Sequence, residues 1–199
     1  MTVPSPRHAE RAAPVRRWQL AQAARHVKAG GIIAYPTEAV YGLGCDPRDG
    51  AAVLRLLAIK RRQIAKGLIL IAARLEDLQP YIGDLPAGMR AKVCKTWPGA
   101  VTWLLPARPE VPYWLRGSHV TLAVRVTAHP LAAALCRACG GVLVSTSANI
   151  SHRPPARHAL AVRRSFGADI DYILSGALGG HDKPTSIIDA RSGRVVRGP

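Results

Sequence analysis

Acidic side chains are scarce in this chain: 12 Asp plus Glu stand against 28 Lys plus Arg, a formal net charge of +16. That shortage argues against a hydrolase built on paired carboxylates and against a carboxylate cage for a metal. Long apolar runs are missing too. No stretch approaches the roughly 20 apolar residues of a membrane-spanning helix. The opening "MTVPSPRHAERAAPVRRWQL" has charge but not the apolar core of a signal peptide, so a cytoplasmic protein is expected. Phe occurs once, beside four Trp and five Tyr, and no aromatic-rich segment suited to stacking RNA bases stands out. The cysteines are few. Cys136 and Cys139 form a lone CxxC on a helical stretch, and Cys45 and Cys94 stand alone, so no second pair completes a zinc site. Buried, inert thiols are expected instead.

Familiar catalytic signatures are absent as well. "GALGGHDKPTS" contains Gly and Lys but lacks the GxxxxGK[ST] spacing of a phosphate-binding loop, and no GxGxxG, HExxH or GxSxG occurs. The histidines (His8, His26, His119, His129, His152, His158 and His181) show no metal-ligand spacing. No serine has an evident His–Asp partner. The chemistry is expected to rest on positive charge and dipoles, with no metal held by protein side chains.

What is present reads as one domain. Of the 199 residues, 48% are apolar, enough to build a core. Residues 1–16, rich in Pro, Arg and Ala, are expected to be a mobile tail before a domain over 17–199. A helical pattern runs from Arg17 through Val27 and meets Gly30 and Gly31. "IIAY" reads as a buried strand and "PTEAVYGLG" as the turn and loop after it. Asp49 is placed to cap a helix through "AAVLRLLAIKRR". "LILIA", "AVTWLLPA", "VTLAVRV", "VLVS", "DYILS", "TSIIDA" and "RVVR" read as strands; "LEDLQPYI", "AGMRAKVCKTW", residues 129–138 and "RHALAVRRSFG" read as helices. Interleaved helices and strands, with strands bunched late, predict a three-layer α/β domain with a mixed sheet.

Two strands end in polar residues. "IIAY" runs into Pro36, Thr37 and Glu38, and "VLV" into Ser145, Thr146, Ser147 and Asn149. In open α/β sheets ligands bind beyond strand carboxyl ends. One such loop could be mere capping or turn chemistry. Two of them, with the cationic run Lys60, Arg61, Arg62 and Lys66, favour a site for an anion or a phosphorylated ligand. The net charge alone fits either such a site or a solvated basic surface, and predicts weak, salt-sensitive binding to tRNA or other RNA in either case. A nucleic-acid-binding module is therefore the alternative to an enzyme.

Six segments in order narrow the choice: "YPTEAVYGLG", the Lys60-x-Arg62 pair, "WPGAVTWLLPA", "LAVRVTAHP", "VSTSANIS" and "PTSIIDA". Over residues 17–199 the chain resembles the YrdC family of threonylcarbamoyl-AMP synthases in its short bacterial form. The resemblance implies a twisted mixed sheet flanked by helices around a basic central cavity. It implies a nucleotidyltransferase that converts L-threonine, bicarbonate or CO2, and ATP into L-threonylcarbamoyl-AMP, pyrophosphate and water, with Mg2+ carried by the nucleotide. The product would pass to threonylcarbamoyl-transfer proteins, which modify the adenosine next to the anticodon of tRNAs reading codons that start with A. The implied catalytic tetrad is Lys60, Arg62, Ser147 and Asn149. Threonine would meet Thr37, Arg125, Ser147 and either Thr185 or Ser186. ATP would meet Lys60, Arg62, Thr121, Ser145, Asn149, Arg157 and Arg197. Long-form relatives carry a His-containing stretch after the Lys-x-Arg pair where this chain has "KGLILIA", and Lys66 is the local candidate to stand in for it. A chain ending at Pro199 is also expected to lack the long form's extra domain, whose linker covers the site. A carbamoyl-transfer domain of the hydrogenase-maturation type would need a much longer chain.

Overall fold

The computed structural model describes residues 17–182 and 185–198, so the expected mobile tail over 1–16 lies outside the described residues. Its first helix, α1 (Arg17–Lys28), buries Ala23, Ala24 and Val27 and gives way to Gly30 at φ 80°. The strands are β1 (Ile33–Pro36), β2 (Tyr41–Gly44), β3 (Ile69–Ala72), β4 (Val101–Pro106), β5 (Thr121–Val126), β6 (Val142–Ser147), β7 (Tyr172–Ile173), β8 (Ser186–Asp189) and β9 (Val195–Arg197). They form one sheet in the order β7-β1-β2-β6-β3-β5-β4-β8-β9. The pairs β1·β7, β3·β5 and β4·β8 are parallel and the others antiparallel, so the sheet is mixed, as expected.

Strand alternation assigns side chains to two cores. Ile33, Tyr35, Ile71 and Leu143 point to one face, where α1 and α5 (Pro130–Cys139) cover them. Ala34, Leu70, Val124 and Val144 point to the other, which takes α2 (Gly50–Lys60), α3 (Ala87–Cys94), α4 (Tyr113–Arg116) and α6 (Ala159–Phe166) through Leu56, Val93, Leu115 and Phe166. The three layers match the sequence expectation. No helix among the described residues is long and apolar enough to cross a membrane.

Local chemistry explains the boundaries. The Asp49 carboxylate accepts from the Ala52 amide at 3.0 Å, as its predicted capping role requires. α5 starts with Pro130 after the His129 cap and stops at Gly140, in the left-handed region at φ 102°. Three expectations need correction. "YGLG" is strand β2 rather than loop: a Cβ on Gly44 would sit 2.4 Å from the Val144 carbonyl oxygen, so glycine is there for close strand approach, not for a turn. "LEDLQPYI" supplies only a single 3-10 turn, Glu76–Leu78, because Pro80 cannot continue a helix. Cys94 is exposed, whereas Cys45, Cys136 and Cys139 are buried as expected. Burial raises the thiol pKa of all three, to about 12 for Cys45 and Cys139.

Candidate active site

A cavity of about 430 Å3 opens on the same sheet face as α1 and α5, over the part of it those helices leave uncovered. Thr121, Ala123 and Arg125 of β5 line it, Leu122 meets it from the core, and Val124 is buried away from it. The turn after β1 contributes Thr37, the end of β6 contributes Ser145 and Ser147, and the last strands contribute Thr185 and Arg197. Five cations line it, namely Arg62, Lys66, Arg116, Arg125 and Arg197, and no carboxylate does among the described residues.

The end of α2 sends its two expected cations in different directions. Arg61 adopts the left-handed region at φ 50°, and the Arg62 amide donates back to the Leu57 carbonyl at 2.9 Å. Lys60, only 3% exposed, turns under the segment that follows β6. Its ammonium donates to the backbone carbonyl of Ser147, to that of Asn149 at 2.7 Å and to Asn149 Oδ1 at 3.4 Å. All three N–H bonds are thus occupied. Arg62 reaches the cavity wall, held by Nε and Nη2 bonds to the Gly67 carbonyl at 3.3 and 2.9 Å.

The predicted tetrad therefore converges, but in two roles. Arg62 and Ser147 line the cavity; Lys60 and Asn149 lie behind it. Asn149 Oδ1 accepts from Ser147 Oγ at 2.6 Å, and its amide donates to the Arg153 carbonyl at 2.6 Å. Thr37, Thr121, Arg125, Ser145, Thr185 and Arg197 line the cavity, and so does Lys66. Between the two hydroxyl candidates, Thr185 lines it and Ser186 pairs with Val101 in the sheet. Arg157 is not in the lining; its Nη2 stands 4.0 Å from an Asp182 carboxylate oxygen at the surface.

Thr185 ties two arginines together. Arg125 Nη1 donates to its hydroxyl at 2.9 Å, and Arg197 Nη2 to its carbonyl at 2.8 Å. The cations also raise one another's energy. Burial, and then the charge of Arg62, lower the Lys60 pKa to about 8. Burial lowers that of Arg62, and burial followed by the charges of Arg125 and Arg197's other neighbour, Arg62, lowers that of Arg197. Like charges held together in excess of their counter-ions are an anion site in waiting.

Sequence reasoning gave no role to Arg116 or Glu38. Arg116 sits on α4, which follows Pro112 and has no periodicity long enough to read. Glu38 was visible beside Thr37, but its partner Arg125 is distant in the chain. Its Oε2 lies 3.3 Å from Arg125 Nη2, and its Oε1 accepts from Thr127 Oγ1 at 2.6 Å. Burial alone would raise the Glu38 pKa; Arg125 and the Thr127 hydroxyl outweigh it and hold the carboxyl below its ordinary value.

The family model for Sua5, YciO and YrdC proteins, which carries the description "Telomere recombination", matches residues 25–198. The chain belongs to the Sua5/YciO/YrdC family. It is 58% identical over 180 residues to the threonylcarbamoyl-AMP synthase of Nitrosococcus oceani, covering 90% of this chain and 97% of that protein. It is 54% identical over 182 residues to the synthase of Halorhodospira halophila, covering 92% and 95%. Among solved structures, P. abyssi Sua5 complexed with L-threonine superposes with a TM-score of 0.87 at 30% identity, covering 93% of this chain and 55% of that one. The chain thus spans about half the length of the Sua5 protein whose fold it shares.

Proposed function

We propose that this cavity makes L-threonylcarbamoyl-AMP from L-threonine, bicarbonate or CO2, and ATP. The observation that carries the reading is the lining itself: among the described residues, five cations, no carboxylate, and hydroxyls on opposing strands. Both partners in the reaction are anions. The threonine amine adds to the CO2 carbon, loses a proton and becomes a carbamate; starting from bicarbonate, water leaves. A carbamate oxygen then attacks the α-phosphorus of ATP, and the bond to the β-phosphate breaks to release pyrophosphate. The cations screen the repulsion and stabilise the charge that builds at phosphorus, and positioning supplies the remaining acceleration. No protein nucleophile is required.

Arg125, with Thr37, Ser147 and Thr185 near it in the lining, takes threonine, its guanidinium pairing the carboxylate. Arg62, Thr121, Ser145 and Arg197 take the nucleotide. Lys60 and Asn149 act on ATP through the loop they hold, and Arg157 reaches the nucleotide only by leaving Asp182. Mg2+ arrives on the triphosphate. The product goes to cytoplasmic threonylcarbamoyl-transfer proteins for the formation of threonylcarbamoyladenosine in tRNA.

The test is an assay with ATP, Mg2+, bicarbonate and L-threonine in which each substrate is omitted in turn. Pyrophosphate release that needs all three substrates, together with an adenylate of the threonylcarbamoyl mass, supports the reading. RNA binding without threonine-dependent pyrophosphate release sinks it.

A further inference from the structure

Glu38 stands behind the cavity wall, 2% exposed, between Thr37 and Ala39, which line it. Among the described residues it is the one acid in ion-pair range of a lining cation: the other ion pairs join Arg48, Arg55, Arg74 and Arg157 to their own aspartates. It is firmly placed. Thr127 anchors Oε1, the His181 amide donates to the Glu38 carbonyl at 3.1 Å, and a Cβ on Gly179 would sit 2.9 Å from the Glu38 Cα.

The ion pair is nevertheless incomplete. Arg125 is 4% exposed, and its Nη1 is engaged by Thr185. Its Nε has no hydrogen-bond partner, and neither has Glu38 Oε2. Nε–H and one Nη2–H point the same way from a guanidinium and form the side-on fork that grips a carboxylate. Both orphan atoms are buried, so Glu38 balances the charge of Arg125 at ion-pair distance and leaves the fork's hydrogen bonds incomplete.

We propose that Glu38 is a specificity-determining residue that acts through Arg125: it divides the cationic lining into a charge-balanced end for a zwitterionic amino acid and an unbalanced end, around Arg62 and Arg197, for polyphosphate. Without Glu38 the lining would be cationic throughout. Pyrophosphate or the tail of a second ATP, more highly charged than an amino-acid carboxylate, would then compete for Arg125. With it, the Arg125 end still offers N–H donors but no excess charge, so a singly charged carboxylate binds and a multiply charged phosphate is refused. The identity of the amino acid rests on the function proposed above; the division of charge does not.

The test is calorimetric titration of the full chain with inorganic pyrophosphate, for wild type, Glu38→Gln and Glu38→Asp. Wild type is expected to bind one pyrophosphate, displaced by ATP and indifferent to L-threonine. Glu38→Gln is expected to bind a second, displaced by L-threonine, and Glu38→Asp, which keeps the charge, to return to one. A folded Glu38→Gln protein with a single, threonine-insensitive site overturns the proposal. A second measurement needs no variant: the phosphonate analogue of threonine, a dianion in place of the carboxylate, should bind wild type about tenfold more weakly than threonine. Tighter binding of the phosphonate overturns the proposal as well. Wild type that binds these ligands as expected but forms no adenylate would overturn the synthase reading and leave this one standing.

Discussion

The Lys60 ammonium donates to the Asn149 backbone carbonyl at 2.7 Å and to that of Ser147, so a buried cation fastens the end of α2 to the loop after β6. Lys60→Met should leave those carbonyls without their donor, which costs about 1–3 kcal/mol of stability, and should loosen the loop that presents Ser147. Its kcat/KM for ATP is expected to fall about a hundredfold. The pH dependence separates clamp from stability. With a folded pKa of about 8 against the usual 10.5, Lys60 binds protons more weakly in the folded chain than in the unfolded one. Its contribution to stability therefore improves as pH rises from about 8 to 10.5, while the ammonium clamp is lost over the same range. Activity should fall above pH 8 while the stability difference between wild type and Lys60→Met moves in favour of wild type. Denaturant melts and rates at matched pH values check both.

Arg62 lines the cavity with its Nε and Nη2 already committed to Gly67, which fixes the guanidinium plane before any ligand arrives. Arg62→Ala should lower the rate of threonine-dependent pyrophosphate release on the order of 100-fold, the loss expected of one preorganised electrostatic donor. Arg62→Lys should recover little, because an ammonium lacks the planar fork. A wild-type rate in Arg62→Ala removes this residue from the mechanism.

Burial and two neighbouring arginines work against the charge on Arg197. Arg197→Ala is expected to leave the melting temperature unchanged or higher while raising the Kd for ATP about tenfold. Binding by calorimetry and a thermal melt on the same preparation read the two effects. A loss of stability with ATP affinity intact would make Arg197 a structural residue.

Cys94 is the exposed thiol, and burial holds Cys45, Cys136 and Cys139 protonated well past the ordinary range. A thiol reagent at neutral pH should modify one cysteine in the native chain and four after denaturation. Because the folded pKa values are raised, the stability these thiols contribute is complete below about 9 and is lost as pH climbs through about 12. Rapid native modification of Cys136 or Cys139 would reopen a redox role for the CxxC.

Short-range signals carried most of the architecture. Asp49 and Pro130 start their helices and Gly140 stops one through chemistry that depends on a few neighbouring residues, and two-residue alternation in "VTLAVRV" marked it as a strand. The glycines of "YGLG" misled, because local sequence does not separate a glycine that bends the chain from one that admits a neighbouring strand. The site was legible as a set of segments, and the family pattern supplied the roles. Lys60 shows the limit: its place in the Lys-x-Arg pair could be read, but whether its ammonium faces a phosphate or three carbonyl oxygens depends on where α2 ends relative to β6. The Glu38–Arg125 pair was hidden for the same reason, since it joins segments far apart in the chain.

The central claim is that a carbamate made on threonine, held with its carboxylate on Arg125, is what attacks ATP. The most direct measurement is the mass of the adenylate formed from carbon-13 bicarbonate, L-threonine and ATP. One labelled carbon in the adenylate, lost when bicarbonate is omitted together with the product itself, is the expected result. An unlabelled threonyl-adenylate, formed through the amino acid's own carboxylate, would contradict it.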